Sequence, residues 1–347
     1  MARNGDAVVR RLLVLAAAPV LLVAAAFFGA DRYYHHGDGS ACANCHEIRR
    51  NVELWRGSTH RNVQCTECHE STMAGNVRRV VTHVRGDVPE RVLLRTEDVF
   101  RMVERCRKCH QQEFAAWQAG PHSATYTRIF TNREQNTRQA LMDDCLRCHG
   151  MHFQGAIRDV VAAGPKGSWH LLRADLKDAP AIPCLACHEV HREGKPGVKG
   201  APYASLGLFD RRDQVHYQTA SLQTPQLHDA KGPILMSPDP RDGLCYQCHA
   251  PRATLEVWSG DDRTPRGVHE GLSCIACHQG HDQSARASCK TCHPRLSNCG
   301  LDVEKMDTTF VSLKSTHNIH TVACADCHHD GRLGHAAPAI LRAKIKP

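Results

Sequence analysis

Eighteen of the nineteen cysteines fall into nine copies of the pentapeptide C-x-x-C-H. The leading thiols are Cys42, Cys65, Cys106, Cys145, Cys184, Cys245, Cys274, Cys289 and Cys324. The second thiols are Cys45, Cys68, Cys109, Cys148, Cys187, Cys248, Cys277, Cys292 and Cys327. The closing histidines are His46, His69, His110, His149, His188, His249, His278, His293 and His328. This is the attachment signature of c-type haem. The thiols add across the porphyrin vinyl groups as thioethers, and the adjacent imidazole is held beneath the ring as proximal ligand to the iron. A zinc knuckle or a thioredoxin-like pair shares the C-x-x-C spacing but does not require the following histidine. With 25 histidines in 347 residues, nine such coincidences would arise on the order of once in 10^10, and both alternatives are set aside. Nine covalent haem c groups are expected. Cys299 stands outside the repeat and is read as a tolerated thiol.

Second axial ligands must come from the other histidines. Three follow a proximal histidine by three residues: His152, His191 and His281. Another group precedes a motif: His60 before Cys65, His269 before Cys274, and His317 with His320 before Cys324. A histidine so close to its own motif cannot reach round to the far face of that haem, so it is expected to bind a neighbouring one. His83 and His122 complete the set of distal candidates, and His170, His216 and His228 are further ones. Bis-histidine coordination closes both axial positions and leaves substrate nowhere to bind, which favours electron transfer over catalysis. The alternative is a catalytic multihaem oxidoreductase acting on a small nitrogen or sulfur compound at one open haem. A subunit of a larger redox complex is a third possibility.

The elements that carry these groups are sparse. Aromatics are only 5% of the chain, so porphyrin faces are expected to supply apolar surface that branched and aromatic side chains ordinarily provide. About 35 residues per haem leave little length for sheets or long bundles. The expected fold class is mainly α with much irregular structure, a multihaem cytochrome c fold with a haem-filled core and one N-terminal transmembrane helix. The formal charge of +8 would ordinarily suggest nucleic acid or anionic lipid as partner. The propionates of nine haems bring roughly 18 negative charges, leaving the oxidised protein near neutral and the reduced protein at about −10. The basic residues are therefore read as propionate counter-ions, and nucleic acid is rejected.

Arg3, Arg10 and Arg11 precede nineteen residues without a charge, Leu12 to Ala30, and Asp31 follows. That length spans a bilayer core, and the arginines place the N-terminus in the cytoplasm. The expected location is the inner (cytoplasmic) membrane, single-pass, with the haem domain on the periplasmic side. A cleaved signal peptide competes, because Ala24-Ala25-Ala26 offers a cleavage site. Beyond this segment the motif starts are separated by 23, 41, 39, 39, 61, 29, 15 and 35 residues. The longest gap holds Gly194-Lys195-Pro196-Gly197 and Ser237-Pro238-Asp239-Pro240, which are linker signals. The expected division is 1–30 for the N-terminus and anchor, 31–90 with two haems, 91–200 with three, and 201–347 with four. Val77, Val80, Val81 and Val84 share one helical face that Gly86 ends, either packed on a haem or turned to the membrane beside a quinol pocket. Asp98 to Ala119 and Arg133 to His149 are also expected to be helical.

Cys42-Ala43-Asn44-Cys45-His46, then Trp55-Arg56-Gly57-Ser58-Thr59-His60, then Cys65-Thr66-Glu67-Cys68-His69, all behind one apolar segment, resemble the NapC/NirT-type membrane-anchored quinol dehydrogenases. The W-x4-H element recurs from Trp117 to His122, which suggests an internal duplication. The resemblance covers about the first 90 residues, marks 31–90 as a NapC/NirT-like dihaem region, and implies that His60 binds a haem other than the one beside it. It also implies electron passage from the quinol pool to a periplasmic or outer-membrane redox protein, with a quinol as second cofactor and the membrane as a partner. Members usually carry methionine where this chain has Ile48, so the first haem is left to His83 or stays five-coordinate. Gly120-Pro121-His122-Ser123-Ala124 and Cys145-Leu146-Arg147-Cys148-His149 resemble cytochrome c554-type multihaem modules. The function expected is that of a membrane-anchored nonahaem cytochrome, an electron carrier with possible quinol dehydrogenase activity. Glu47, Glu53, Asp87 and Glu90 are its candidate proton acceptors.

Overall fold

The computed structural model describes residues 3–35, 39–87, 96–138, 140–143, 145–150, 153, 155–188, 190, 228–229, 232–239, 242–249, 262–264, 267, 269–282, 285, 289–293, 295–296, 302 and 319–320. Among these, regular structure is mainly helical, linked by turns and irregular stretches, and each strand is two residues long. Helix α1, Arg3–His35, keeps Pro19 in its interior. Its stretch Val14–His35 is the one described helix long and apolar enough to cross a membrane, a property shared by signal sequences at this position. The chain forms two compact units, 1–109 with 188–207, and 110–187 with 208–347.

In the first unit, α2, Ser40–Ala43, opens at Gly39, whose φ is +80°. A Cβ there would lie 3.1 Å from Cζ3 of Trp55 and 3.6 Å from Sγ of Cys65, so glycine lets the first motif approach the Trp55 ring. Helix α3, Arg49–Gly57, buries Val52 and Trp55. Helix α4, Cys65–Cys68, carries the second motif. It packs on α6, Thr96–Arg107, which buries Val99, Met102 and Val103. Arg105 donates to the carbonyls of Thr66 and Glu67, both at 3.3 Å. Between them runs α5, Met73–Val84, whose first turn is capped by Thr72 Oγ1 accepting from the Gly75 N–H at 3.1 Å. Gly86, at φ +76°, follows its end as expected. The valines of its stripe are 41 to 78% exposed.

The second unit begins with α7, Gln111–Ala119, then α8, Tyr126–Phe130, α9, Arg133–Arg138, and α10, Cys145–Cys148. Tyr126, Phe130, Leu146 and Leu176 are buried there, with Val160 of α11, Ile157–Val160, and Val161. The hairpin of β1, Val161–Ala162, and β2, His170–Leu171, pairs Val161 with Leu171 and Ala162 with His170. Residues 179–181 are stitched in by Tyr126 N–H to Ala179 O at 3.0 Å, Ala181 N–H to Ala124 O at 2.9 Å, and Gly150 N–H to Ala181 O at 3.1 Å. This lays the approach to the fifth motif beside the end of the fourth. Further on, β3, His228–Asp229, pairs with β4, Gly232–Pro233. Helix α12, Asp242–His249, carries the sixth motif and α13, Cys289–Cys292, the eighth.

Two expected helices are each divided. Asp98 to Ala119 breaks between Arg107 and Gln111, because Lys108 and Cys109 donate back only three residues, to Arg105 and Cys106, and His110 leaves the helical region at φ −100°, ψ 57°. Arg133 to His149 is split into α9 and α10. The buried Asn136 side chain donates to Phe130 O at 2.9 Å and Gly167 O at 3.4 Å, tying the first part to a loop. Asp143 starts the second part as a separate turn and accepts from the Ile157 N–H at 2.8 Å.

Candidate haem centres

Each C-x-x-C-H copy among the described residues lies on a short helical turn. The histidine N–H returns to the carbonyl of the first cysteine at His69 (2.8 Å), His149 (3.0 Å), His278 (2.8 Å) and His293 (2.8 Å). One closed turn puts residues three and four apart on one side, so both thiols and the imidazole approach a planar group together. The first eight motifs lie among the described residues. The ninth, Cys324, Cys327 and His328, lies outside them, as do His152, His191, His216, His317 and Cys299.

Motifs meet in space. In the first unit the thiols of Cys42 and Cys65 hydrogen-bond to each other, joining motifs one and two. Burial raises the Cys68 thiol, with neighbouring Cys106 adding to the effect, which places motif two against motif three. In the second unit α10 contacts α12, and Cys148 lies near His249, so motif four adjoins motif six. Cys245 and Cys274 hydrogen-bond, joining motifs six and seven. Their sulfurs and a carboxylate oxygen of Asp242 lie within 4.8 Å of one another. Both sulfurs belong to haem motifs, so adjacency of two motifs accounts for that cluster without a separate ion.

The structure brings four motif histidines to four others: His46 to His83, with ring centres 5.4 Å apart; His122 to His249, 6.1 Å; His269 to His293, 6.2 Å; and His278 to His320, 5.9 Å. Burial, and then the neighbouring His249 and His149, push His122 down to about 4. Burial also lowers His149, His269 and His320. A neutral imidazole keeps the lone pair that a metal takes, so these environments fit an iron porphyrin. His60 faces Thr59, with Nδ1 3.4 Å from the hydroxyl, and its carbonyl accepts from the Trp55 indole at 2.8 Å. His281 lies in the turn after motif seven. His35 Nδ1 lies 3.2 Å from Asp31 Oδ1.

The two W-x4-H copies leave their helices alike. Ser58 adopts φ −88°, ψ 170° with its N–H on Trp55 O, and Gly120 adopts φ −88°, ψ 168° with its N–H on Trp117 O. Their indoles diverge, Trp55 donating to His60 O and Val63 O, Trp117 to Ile182 O at 3.3 Å.

Two acidic residues stand out that motif reading passes over. Asp262 Oδ2 lies 2.5 Å from His249 Nδ1, raising the imidazole and lowering the carboxyl. Asp242, fully buried, accepts from Ser273 Oγ at 3.0 Å and from the Cys274 N–H at 3.2 Å. Asp242 was open to detection as a first-turn acid just before a motif. Asp262 has no local signal.

Residues 105–189 match the family of cytochrome c554 and c-prime, the stretch where the c554-type resemblance was expected, and residues 215–294 match cytochrome c3. No curated protein and no solved structure matches the chain. Both matched families bear covalently bound haem c, and each matched segment holds three C-x-x-C-H motifs. Together the matches and the motif turns indicate a multihaem c-type cytochrome suited to electron transfer.

Proposed function

We propose that this protein is a membrane-anchored nonahaem cytochrome that moves electrons between the quinone pool and a periplasmic or outer-membrane redox partner. The observation that carries the membrane side is a hydrogen bond: Asn44, inside the first motif, donates from Nδ2 to the Tyr33 hydroxyl at the end of the apolar helix, at 2.8 Å. It ties the first haem site to the terminus of α1, where a quinol in the bilayer headgroups is within reach. Quinol oxidation yields quinone, two electrons and two protons. Haem c supplies one-electron acceptors, so the electrons leave singly, and nearby carboxylates such as Glu53 and Asp87 take up protons. Contacts between motifs one, two and three, and between four, six and seven, support a relay rather than isolated centres. The grouping of haems as two, three and four along residues 31–90, 91–200 and 201–347 belongs to the same proposal.

The test combines intact mass spectrometry with reduction kinetics in liposomes. Nine attached haems, and reduction of the haem bands by a short-chain quinol, support the proposal. Fewer than nine haems refutes the count, and a protein reduced by dithionite but never by quinol refutes the donor. N-terminal sequencing of the mature protein reads out whether α1 is retained.

A further inference from the structure

We infer that four haem irons are closed by trans histidine pairs that the chain specifies as His46 with His83, His122 with His249, His269 with His293, and His278 with His320. The inference rests on the haem reading above and deepens it.

The spacing is the first argument. A metal–imidazole bond of about 2.0 Å on each side, with about 1.1 Å from nitrogen to ring centre, separates two trans ring centres by about 6 Å. The four pairs measure 5.4, 6.1, 6.2 and 5.9 Å. The second argument is selection. Each pair joins one histidine of a C-x-x-C-H motif to one outside any motif. Packing of aromatic rings for its own sake would give no such pairing rule. The third is orientation at one site. Asp262 engages Nδ1 of His249 at 2.5 Å, which leaves Nε2 for a metal, the usual arrangement in which a carboxylate fixes the tautomer of a ligating imidazole.

Pairing departs from the order of the chain. His269 lies just before motif seven yet faces the histidine of motif eight, and His320 lies before motif nine yet faces motif seven. His83 supplies the first iron with a nitrogen ligand where Ile48 offers none. His122 belongs to the segment matched to cytochrome c554, and its partner His249 to the segment matched to cytochrome c3. The sixth haem is thus clamped from both segments, and neither segment completes it alone. His149 of motif four also neighbours His249, which sets motif four beside motif six although motif five intervenes in the sequence.

The planes of the paired rings give a distinguishing signature. His278 and His320 are 22° from parallel, whereas His269 and His293 are 85° apart. Near-parallel imidazoles give ferric iron a rhombic low-spin resonance, and near-perpendicular ones a single large-g signal.

The experiment uses the full haem-loaded chain and the variants His83→Ala, His122→Ala, His269→Ala and His320→Ala, each weighed intact and examined by electron paramagnetic resonance. Each variant is expected to keep the wild-type haem mass, to lose one haem equivalent of low-spin signal, and to gain one equivalent of high-spin ferric signal that added imidazole reverses. The His320 variant should lose rhombic signal and the His269 variant large-g signal. A variant with full haem mass and unchanged low-spin intensity overturns its pair. Wild-type protein without haem mass would sink the haem reading instead, so the two failures are distinct. Should an alanine variant not accumulate, the methionine replacement at the same position decides. A sulfur–iron charge-transfer band with a raised midpoint potential supports the pair, and an unaltered spectrum overturns it.

Discussion

Asp262 Oδ2 lies 2.5 Å from Nδ1 of His249, thirteen residues upstream. The carboxylate accepts the Nδ1–H, makes the imidazole a stronger electron donor, and adds a negative charge beside the sixth haem site, both of which favour ferric iron. Asp262→Asn removes the charge while keeping the shape. One haem is expected to titrate at a higher midpoint potential, by on the order of 60 mV for each tenfold change in the ferric-to-ferrous preference. Spectroelectrochemical titration checks this, and an unchanged set of potentials would count against the contact as a tuning device.

Asp242 fastens motif six to motif seven. Its Oδ1 accepts from Ser273 Oγ and the Cys274 N–H, while Oδ2 is buried without a hydrogen-bond partner among the described residues. Asp242→Ala takes the acceptor from the Cys274 N–H, while Ser273 Oγ keeps Asp239 Oδ2 at 3.3 Å, a loss of about 1–3 kcal/mol. Thermal unfolding followed at the haem Soret band should show a lower midpoint, and Asp242→Asn should restore part of it.

The Trp55 indole N–H is shared between His60 O at 2.8 Å and Val63 O at 3.1 Å, holding the loop that leads into the second motif. Trp55→Phe keeps most of the ring but loses both bonds, at about 1–2 kcal/mol. Trp55→Ala also empties the packing site against Gly39 and is expected to lose about 3–5 kcal/mol. Chemical denaturation of both variants orders these effects, and equal losses would assign the whole contribution to the two hydrogen bonds.

Arg10 and Arg11 flank the apolar stretch on its N-terminal side. Under the proposed membrane anchoring, their replacement by glutamate weakens the charge bias that orients the helix. Because c-type haem is attached on the exported side, haem-stained protein in the membrane fraction should fall several-fold. An undiminished yield would show that orientation is set elsewhere.

The cofactor was legible in the letters because thioether attachment is local. Two thiols and an imidazole within five residues fit one helical turn, and the hydrogen bonds from His69, His149, His278 and His293 back to their first cysteines show that turn repeating among the described residues. The end of α5 at Gly86 was legible for a similar reason, since one backbone position dictates it. The breaks after Arg107 and Arg138 were not. Helical periodicity continues through both, but the motif turn at Cys106 to His110 and the side-chain bonds of Asn136 to Phe130 O and to the distant Gly167 O compete with it.

Composition and short-range spacing alone therefore establish a multihaem c-type cytochrome with an apolar N-terminal segment. Which imidazole faces which is another matter. His122 meets His249, and Asp262 meets the same ring, only because folding brings the turn after α7 and the loop at Asp262 to the end of α12. No local pattern encodes that meeting, since a metal ligand is chosen by position in space, and residues far apart in the chain compete on equal terms for each open coordination site.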